Sequence, residues 1–270
     1  MPELPEVETS RRGIAPWIVE QVVDEVVVRD RRLRWPVPRG IERKLCGQAV
    51  RSLERRAKYL LFATDNGTAL LHLGMSGSLR IIDPHEPPGR HDHVDFRMRN
   101  GKALRFRDPR RFGSLLWSDA GTVHPLIASL GPEPLGDSFD GAYLWHRARG
   151  RRVGIKQLLM NAGIVVGVGN IYASEALFEA GIHPARQAMR ISRTRMDRLA
   201  AAVRTVLQRA LAAGGTTLRD FHGGLGEPGY FRRQLAVYGR EGRPCRRCGE
   251  RIRAIVQGQR STFYCVRCQR

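Results

Sequence analysis

Four of the five cysteines fall as Cys245-x2-Cys248 and Cys265-x2-Cys268, with sixteen residues between the pairs. Each short spacing lets one turn aim two sulfurs at one ion. Two such knuckles together supply the four thiolates of a tetrahedral Zn2+ site. A pair of disulfides would need an oxidising compartment. The start of the chain has neither the basic nor the apolar region of an export signal, so a cytoplasmic protein is expected. That leaves zinc, ahead of an iron–sulfur cluster. A module of about thirty residues cannot bury a sufficient core, so the zinc would be structural. Cys46 stands alone, and it is expected as a small, at least partly buried apolar residue.

The surface of this module is basic. Residues 237–270 hold nine arginines against two glutamates, a formal +7. The whole chain carries 46 Lys+Arg against 26 Asp+Glu, a net charge of +20 over 270 residues. Such an excess is the electrostatic footprint of a phosphate-rich partner. An anionic membrane is disfavoured: there is no basic amphipathic helix, and no apolar run approaches the ~18 residues of a span. Arg260, Ser261 and Thr262 stand where the second strand of a hairpin between the knuckles would begin, and these residue types suit phosphate contacts.

Upstream, two patterns divide the chain. From Val22 to about Trp117 the signal is short strands. Asp65-Asn66-Gly67 and Asn100-Gly101 each separate apolar–polar alternating runs, which predicts antiparallel hairpins and a β-sandwich. After the linker Gly131-Pro132-Glu133-Pro134-Leu135-Gly136 the pattern turns helical. Helices are expected at Tyr143–Ala148, Val153–Met160, Ile171–Ala180 and Ser192–Ala213, the last with Leu199, Val203, Val206, Leu207 and Ala210 buried. Residues 222–230 are a glycine-rich, mobile-looking loop. The domains are therefore expected at 1–131, 132–236 and 237–270.

The opening Met1-Pro2-Glu3-Leu4-Pro5-Glu6-Val7-Glu8 places three glutamates and two prolines at the head of a basic chain. Leu4, Val7, Arg11 and Ile14 recur at helical spacing, predicting a helix from residue 4 to about 17, ended near Pro16. One reading is an ordinary helix start, with proline in the first turn and acids favoured by the dipole. The other is chemical. Removal of Met1 would expose a secondary amine beside a carboxylate, and an α-amino group titrates near pH ~8, within reach of nucleophilic use.

Three further stretches stand out. Val166-Gly167-Val168-Gly169-Asn170 leads into a helix that Asn170 is expected to cap, with Arg151, Arg152 and Lys156 upstream. It suits a phosphate, and it equally suits a tight turn between packed helices. Leu73-Gly74-Met75-Ser76-Gly77 and Asp108-Pro109-Arg110-Arg111-Phe112-Gly113 put Met75, Arg110 and Phe112 in loops. They are either core plugs or wedges that hold open a base stack.

Together these stretches are similar to bacterial formamidopyrimidine-DNA glycosylase. The resemblance is carried by Pro2 to Glu8, Lys58, Leu71 to Gly77, Asp108 to Gly113, Gly167 to Glu175, and the cysteine module with Arg260. It implies an α+β, multidomain fold. An N-terminal helix plus β-sandwich is followed by a helix-two-turn-helix domain and a C-terminal β-hairpin zinc finger. It implies a glycosylase/AP lyase acting on double-stranded DNA with oxidised purines or abasic sites. Pro2 would be the nucleophile, Glu3 the general acid, Lys58 a proton-transfer group, and Arg260 a group for elimination and phosphate binding. His72, Met75, His91, Arg110, Phe112, Arg151, Lys156, Asn170, Tyr238 and Arg260 would contact DNA. Residues 222–230 would close over the damaged base. One structural zinc and no nucleotide or redox cofactor are implied, in a monomer that works at the nucleoid. Asn161 departs from the aspartate usual in the family, although asparagine still accepts a hydrogen bond. The alternatives are an endonuclease VIII-type enzyme for oxidised pyrimidines, and a non-catalytic damaged-DNA-binding protein.

Overall fold

In the computed structural model of the protein, the acidic head is a helix, α1 (Leu4–Ile18). Pro5 lies in the first turn, where an N–H has no intrahelical partner to lose. Leu4, Val7, Ile14 and Ile18 form its buried face. The helix ends at Ile18, within a residue or two of the end expected near Pro16. Proline there forfeits a single hydrogen bond in the last turn, and buried Ile18 carries the helix one step further, closed by Val19 N–H on the Ala15 carbonyl at 2.9 Å. The structure describes residues 2–216 and 231–270. These form two compact units, one of residues 2–128 with 213–216, the other of Ser129–Ala212 with Phe231–Arg270.

The first unit is a β-sandwich with α1 against it. Its elements are β1 (Val23–Val28), α2 (Ile41–Leu45), β2 (Ser52–Arg56), β3 (Tyr59–Thr64), β4 (Gly67–His72), β5 (Ser78–Ile82), β6 (Asp92–Met98), β7 (Ala103–Arg107), β8 (Ser114–Asp119) and α3 (Pro125–Ala128). Two four-stranded sheets have the orders β1-β6-β7-β5 and β2-β3-β4-β8. All pairings are antiparallel. Both expected hairpins form: Thr64 pairs with Gly67 around Asp65-Asn66, and Gly101 takes φ +75° in the β6–β7 turn. Val23 and Val26 to Val28 lie in one strand, β1, with an irregularity between Val23 and Glu25, while Val22 bridges Ala49 just before it. Leu60, Phe62, Leu71, Val94, Phe96, Leu104, Phe106 and Leu115 meet Val7, Ile14 and Ile18 in one core. The short α2 and α3 carry too few residues to show a helical period.

In the second unit, α4 (Gly141–Ala148) is capped by Asp140, whose carboxylate accepts from Tyr143 N–H at 2.7 Å. Then come α5 (Ile155–Leu159), α6 (Asn170–Glu179) and α7 (Arg193–Ala212). α5 is shorter than expected, opening only after Gly154. Between α5 and α6 the chain turns twice. Asn161 CO takes the N–H groups of Ile164 and Val165, and Gly167 sits at φ +77°. β9 (Ile252–Gln257) and β10 (Arg260–Cys265) form the hairpin between the knuckles. Gly258 and Gln259 both have positive φ, the turn type whose twist matches the paired strands.

Candidate functional site

At the head of the chain, Pro2 and Glu3 are buried, Glu3 to 2% exposure. Glu6, fully buried at 0%, holds the Glu3 backbone. Its Oε2 accepts from Glu3 N–H at 2.8 Å. Its Oε1 accepts from both the amide and the hydroxyl of Thr216, each at 2.8 Å. Gly215 (φ +81°) permits this approach, since a Cβ there would stand 3.0 Å from Glu6 Oε1. Met1 and residues 217–230, including the expected mobile loop 222–230, lie outside the described residues.

Lys58 follows Ala57, whose positive φ of +56° turns the chain from β2 into β3. The turn is held by Arg55 Nη1 on the Ala57 carbonyl at 2.9 Å. Across the β3–β4 pair, Tyr59 faces His72, their rings 4.8 Å apart. His72 Nδ1 accepts from Gly74 N–H at 2.9 Å, which leaves the ring proton on Nε2. Burial, together with the positive charges of Lys58 and Arg34, pushes its pKa down to about 4. His72 is therefore a neutral donor. Nothing in the sequence singles out Arg34, one basic residue among 46. Its guanidinium lies over the Trp35 ring at 4.8 Å, and its N–H donates to the Gly113 carbonyl.

Met75 and Phe112 are turned outward, 38% and 43% exposed, so neither plugs the core. Their two loops are pressed backbone to backbone: a Cβ on Gly74 (φ +63°) would collide with the Phe112 carbonyl and Gly113 nitrogen. The exposed Arg110 guanidinium stacks over the Phe112 ring at 4.8 Å. His91, half-buried, is joined to the same loop through its carbonyl, which accepts from Asp108 N–H at 3.0 Å.

In the second unit Lys156 is 1% exposed. Its ammonium donates to Asn170 Oδ1 at 2.6 Å, Thr262 Oγ1 at 2.7 Å and the Ser261 carbonyl at 3.3 Å. Asn170 does not cap α6 as expected. Gly169 occupies the cap position, and the Asn170 amide instead donates to the Ser261 carbonyl at 3.1 Å and to Tyr238 Oη at 3.4 Å. The buried ammonium outcompetes the helix end for the amide oxygen, because a charged donor makes the stronger bond. Tyr238 packs edge-on to Phe263 at 5.1 Å. Its backbone is held by Glu175, which accepts from the N–H groups of Ala236, Val237 and Tyr238 at 2.7, 3.0 and 2.8 Å. Burial raises the Glu175 pKa in spite of these donors. Arg260 is exposed at the start of β10, next to Ser261. Arg151, exposed after α4, stands outside this network. Asn161 keeps an acceptor's role, its Oδ1 taking Gly163 N–H at 2.9 Å.

The sulfurs of Cys245, Cys248, Cys265 and Cys268 all lie within 4.8 Å of one another, with pairs at 3.9 and 3.5 Å. A Zn–S bond of about 2.3 Å implies tetrahedral S···S edges of about 3.8 Å, so the set fits one zinc. Phe178 of α6, Val237 and Ile252 pack against the cysteines. Cys46, by contrast, is exposed, correcting the buried position expected for it: it ends α2, where its N–H closes the helix on Glu42.

Three family models match in chain order. The formamidopyrimidine-DNA glycosylase N-terminal domain covers residues 1–115, the H2TH domain of the same enzymes 130–222, and the zinc finger found in FPG and IleRS 242–270. Formamidopyrimidine-DNA glycosylases of Stutzerimonas stutzeri and Syntrophotalea carbinolica are 57% and 58% identical, each over all of both chains. The chain belongs to the formamidopyrimidine-DNA glycosylase family. Among solved structures, a Lactococcus lactis FPG variant in complex with Fapy-dG-containing DNA is similar with a TM-score of 0.93, at 31% identity over 100% of both chains. FPG of Thermus thermophilus gives 0.89, at 38% identity over 99% of this chain and 98% of that one. Wild-type L. lactis FPG, similar at 0.92 and 31% identity over 100% of both chains, is in complex with DNA containing an oxidised pyrimidine.

For a formamidopyrimidine-DNA glycosylase, the polar residues that sequence reasoning passed over are Glu6, Arg34, Asp108 and Glu175. Glu6, Asp108 and Glu175 are buried carboxylates that hold backbone N–H groups. Each stands inside a stretch that carries the family resemblance, but nothing in the local sequence marks it as buried.

Proposed function

We propose that the chain is a bifunctional base-excision enzyme that extrudes and excises oxidised purines, 8-oxoguanine and formamidopyrimidines, and then cuts the strand. The Pro2 nitrogen attacks the sugar C1′, and the base departs with the bonding pair as Glu3 serves as general acid. The sugar ring opens to an iminium on Pro2. A secondary amine reaches this cation without an N–H left to lose, so charge persists and acidifies C2′. Loss of that proton expels the 3′ phosphate, and a second elimination expels the 5′ phosphate. Hydrolysis of the iminium then frees Pro2. Lys58 moves protons in these steps, and Arg260 assists elimination while holding phosphate. Met75, Arg110 and Phe112 fill the vacated stack. His72, His91, Arg151, Lys156, Asn170 and Tyr238 serve the DNA backbone or the lesion, Lys156 by holding Asn170 and β10. Zinc, held by the four cysteines, keeps the hairpin that presents Arg260 in shape.

One observation carries this reading: Glu6 pins Glu3, and with it the start of the chain, by buried hydrogen bonds. The Glu3 bond alone is the capping box of an ordinary helix start. The second anchor, Thr216, comes from 210 positions away and holds the head of the chain in place, as a nucleophile requires. The scheme requires removal of Met1, because an acylated nitrogen is an amide. The charge of +20 supports DNA as partner and the nucleoid-bearing cytoplasm as place. No described helix is long and apolar enough to cross a membrane.

The test is borohydride trapping on a duplex with 8-oxoguanine opposite cytosine, followed by mass spectrometry. A covalent adduct on Pro2 is expected, and its absence from a zinc-loaded, DNA-binding sample would sink the mechanism. The second reading, a preference for oxidised pyrimidines, is kept because a relative is known with such DNA. Faster trapping on an oxidised-pyrimidine duplex would favour it.

A further inference from the structure

Asp108 has no part in the chemistry above, yet it is fully buried, at 0% exposure, between β7 and β8. A buried carboxylate persists only where its oxygens are satisfied. Here the partners are not cations but the donors of neighbouring loops. Oδ1 accepts from the Ser76 hydroxyl at 2.8 Å and from Arg110 N–H at 3.3 Å, and Oδ2 accepts from Gly113 N–H at 2.7 Å. Its own N–H donates to the His91 carbonyl at 3.0 Å, and its carbonyl meets His93 Nε2 at 2.8 Å.

One residue thus ties three segments together: the β4–β5 loop through Ser76, the approach to β6 through His91, and its own loop at Arg110 and Gly113. Each segment carries a side chain assigned above to DNA: Met75, His91, and the Arg110–Phe112 stack. A second observation points the same way. Arg111, between Arg110 and Phe112, is held at φ +55°, a conformation that non-glycine residues adopt at a cost. The Arg111 N–H bonds the Asp108 carbonyl at 3.3 Å, so Asp108 grips the strained turn from both ends.

We infer that Asp108 is a positioning residue for base extrusion, presetting Met75, Arg110 and Phe112 as one rigid group that enters the vacated stack. The inference rests on the glycosylase reading. Its physical basis is preorganisation: loops already fixed lose little freedom on binding DNA.

Asp108→Asn tests it. Whichever way the amide turns, its NH2 faces a backbone N–H, that of Gly113 or that of Arg110. The readout is single-turnover excision of 8-oxoguanine from a duplex, divided by cleavage at an abasic site in single-stranded DNA, where no base needs extruding. That ratio is expected to fall about tenfold or more, as loosened wedge geometry should. In a Phe112→Ala background the same substitution should change the ratio less than about twofold, because residues acting through one another are not additive. Equal losses in the two backgrounds, equal losses in the two assays, or an unchanged ratio would each overturn the inference. If Asp108→Asn does not fold, Ser76→Ala, which deletes one tether and leaves the carboxylate, carries the same comparison, with an expected fall of about threefold. An unsubstituted enzyme that cleaves abasic sites but excises no oxidised base would instead refute the underlying reading.

Discussion

Glu6 and Thr216 are 210 positions apart, and one Glu6 oxygen takes both the amide and the hydroxyl of Thr216 at 2.8 Å. The other oxygen takes Glu3 N–H. The carboxylate therefore links the start of the chain to a distant segment of the same unit. Because each of these contacts is an acceptance, Glu6→Gln must set its NH2 against a backbone N–H on one side. We expect adduct formation under borohydride to slow about tenfold or more, with stability lowered by about 1–3 kcal/mol. Single-turnover trapping and urea denaturation measure the two effects. An unchanged trapping rate would reduce Glu6 to a helix cap.

His72 should shape the acid limb of the stability curve. Its folded pKa of about 4 lies below the ordinary histidine value because burial and the Lys58 and Arg34 charges disfavour the cation. The unfolded chain takes a proton near pH ~6.5, whereas the folded one waits until near pH 4, so protons favour unfolding between the two. The contribution of His72 is complete above pH ~6.5 and is lost as pH falls toward 4. In His72→Gln this part of the acid destabilisation, on the order of 3 kcal/mol, should disappear from a plot of melting temperature against pH. If the two curves run parallel, His72 is not held neutral.

Zinc should govern the finger and leave the sandwich alone. Cys248→Ser, or chelation, should release one metal ion per chain and remove amide protection from β9 and β10. Residues 2–128 should keep their hydrogen-exchange rates. DNA affinity is expected to fall at least about tenfold, since ligand binding and folding are coupled in modules this small. Protection that survives metal loss would mean that Phe178, Val237 and Ile252 suffice as a core.

Glu175 is the anchor of residues 236–238. Glu175→Ala leaves three backbone N–H groups without their acceptor. A loss of about 2–4 kcal/mol in urea denaturation is expected, with weaker DNA binding through the displaced Tyr238. Glu175→Gln, which keeps one acceptor, should lose less. Equal stability in all three proteins would contradict the geometry.

Much of the fold is written locally. Asp65-Asn66-Gly67 and Asn100-Gly101 give hairpins because turn chemistry acts over four residues. Leu4, Val7, Ile14 and Ile18 give a helix face because 3.6-residue spacing puts them on one side. Two Cys-x2-Cys knuckles give a metal site because each spacing already brings two sulfurs together. The same local logic misjudges the cap at Asn170 and the burial of Cys46. Each has its partners elsewhere in the chain: Lys156 and Ser261 for Asn170, the Asp24 carbonyl for Cys46.

By itself, the sequence determined the zinc module, the strand and helix regions and the candidates Pro2, Glu3, Met75, Arg110 and Phe112. All of these depend on residue type and short spacing. Only the tertiary structure decided that Glu6, Asp108, Lys156 and Glu175 are buried hubs, that His72 is neutral, and that Met75 and Phe112 turn outward from adjoining loops. The reason is physical. A charged side chain is stable in the interior only when donors or acceptors converge on it, and those come from segments far apart in the chain. No periodicity records such a convergence. The chain as written makes the groups available, and folding selects which of them meet.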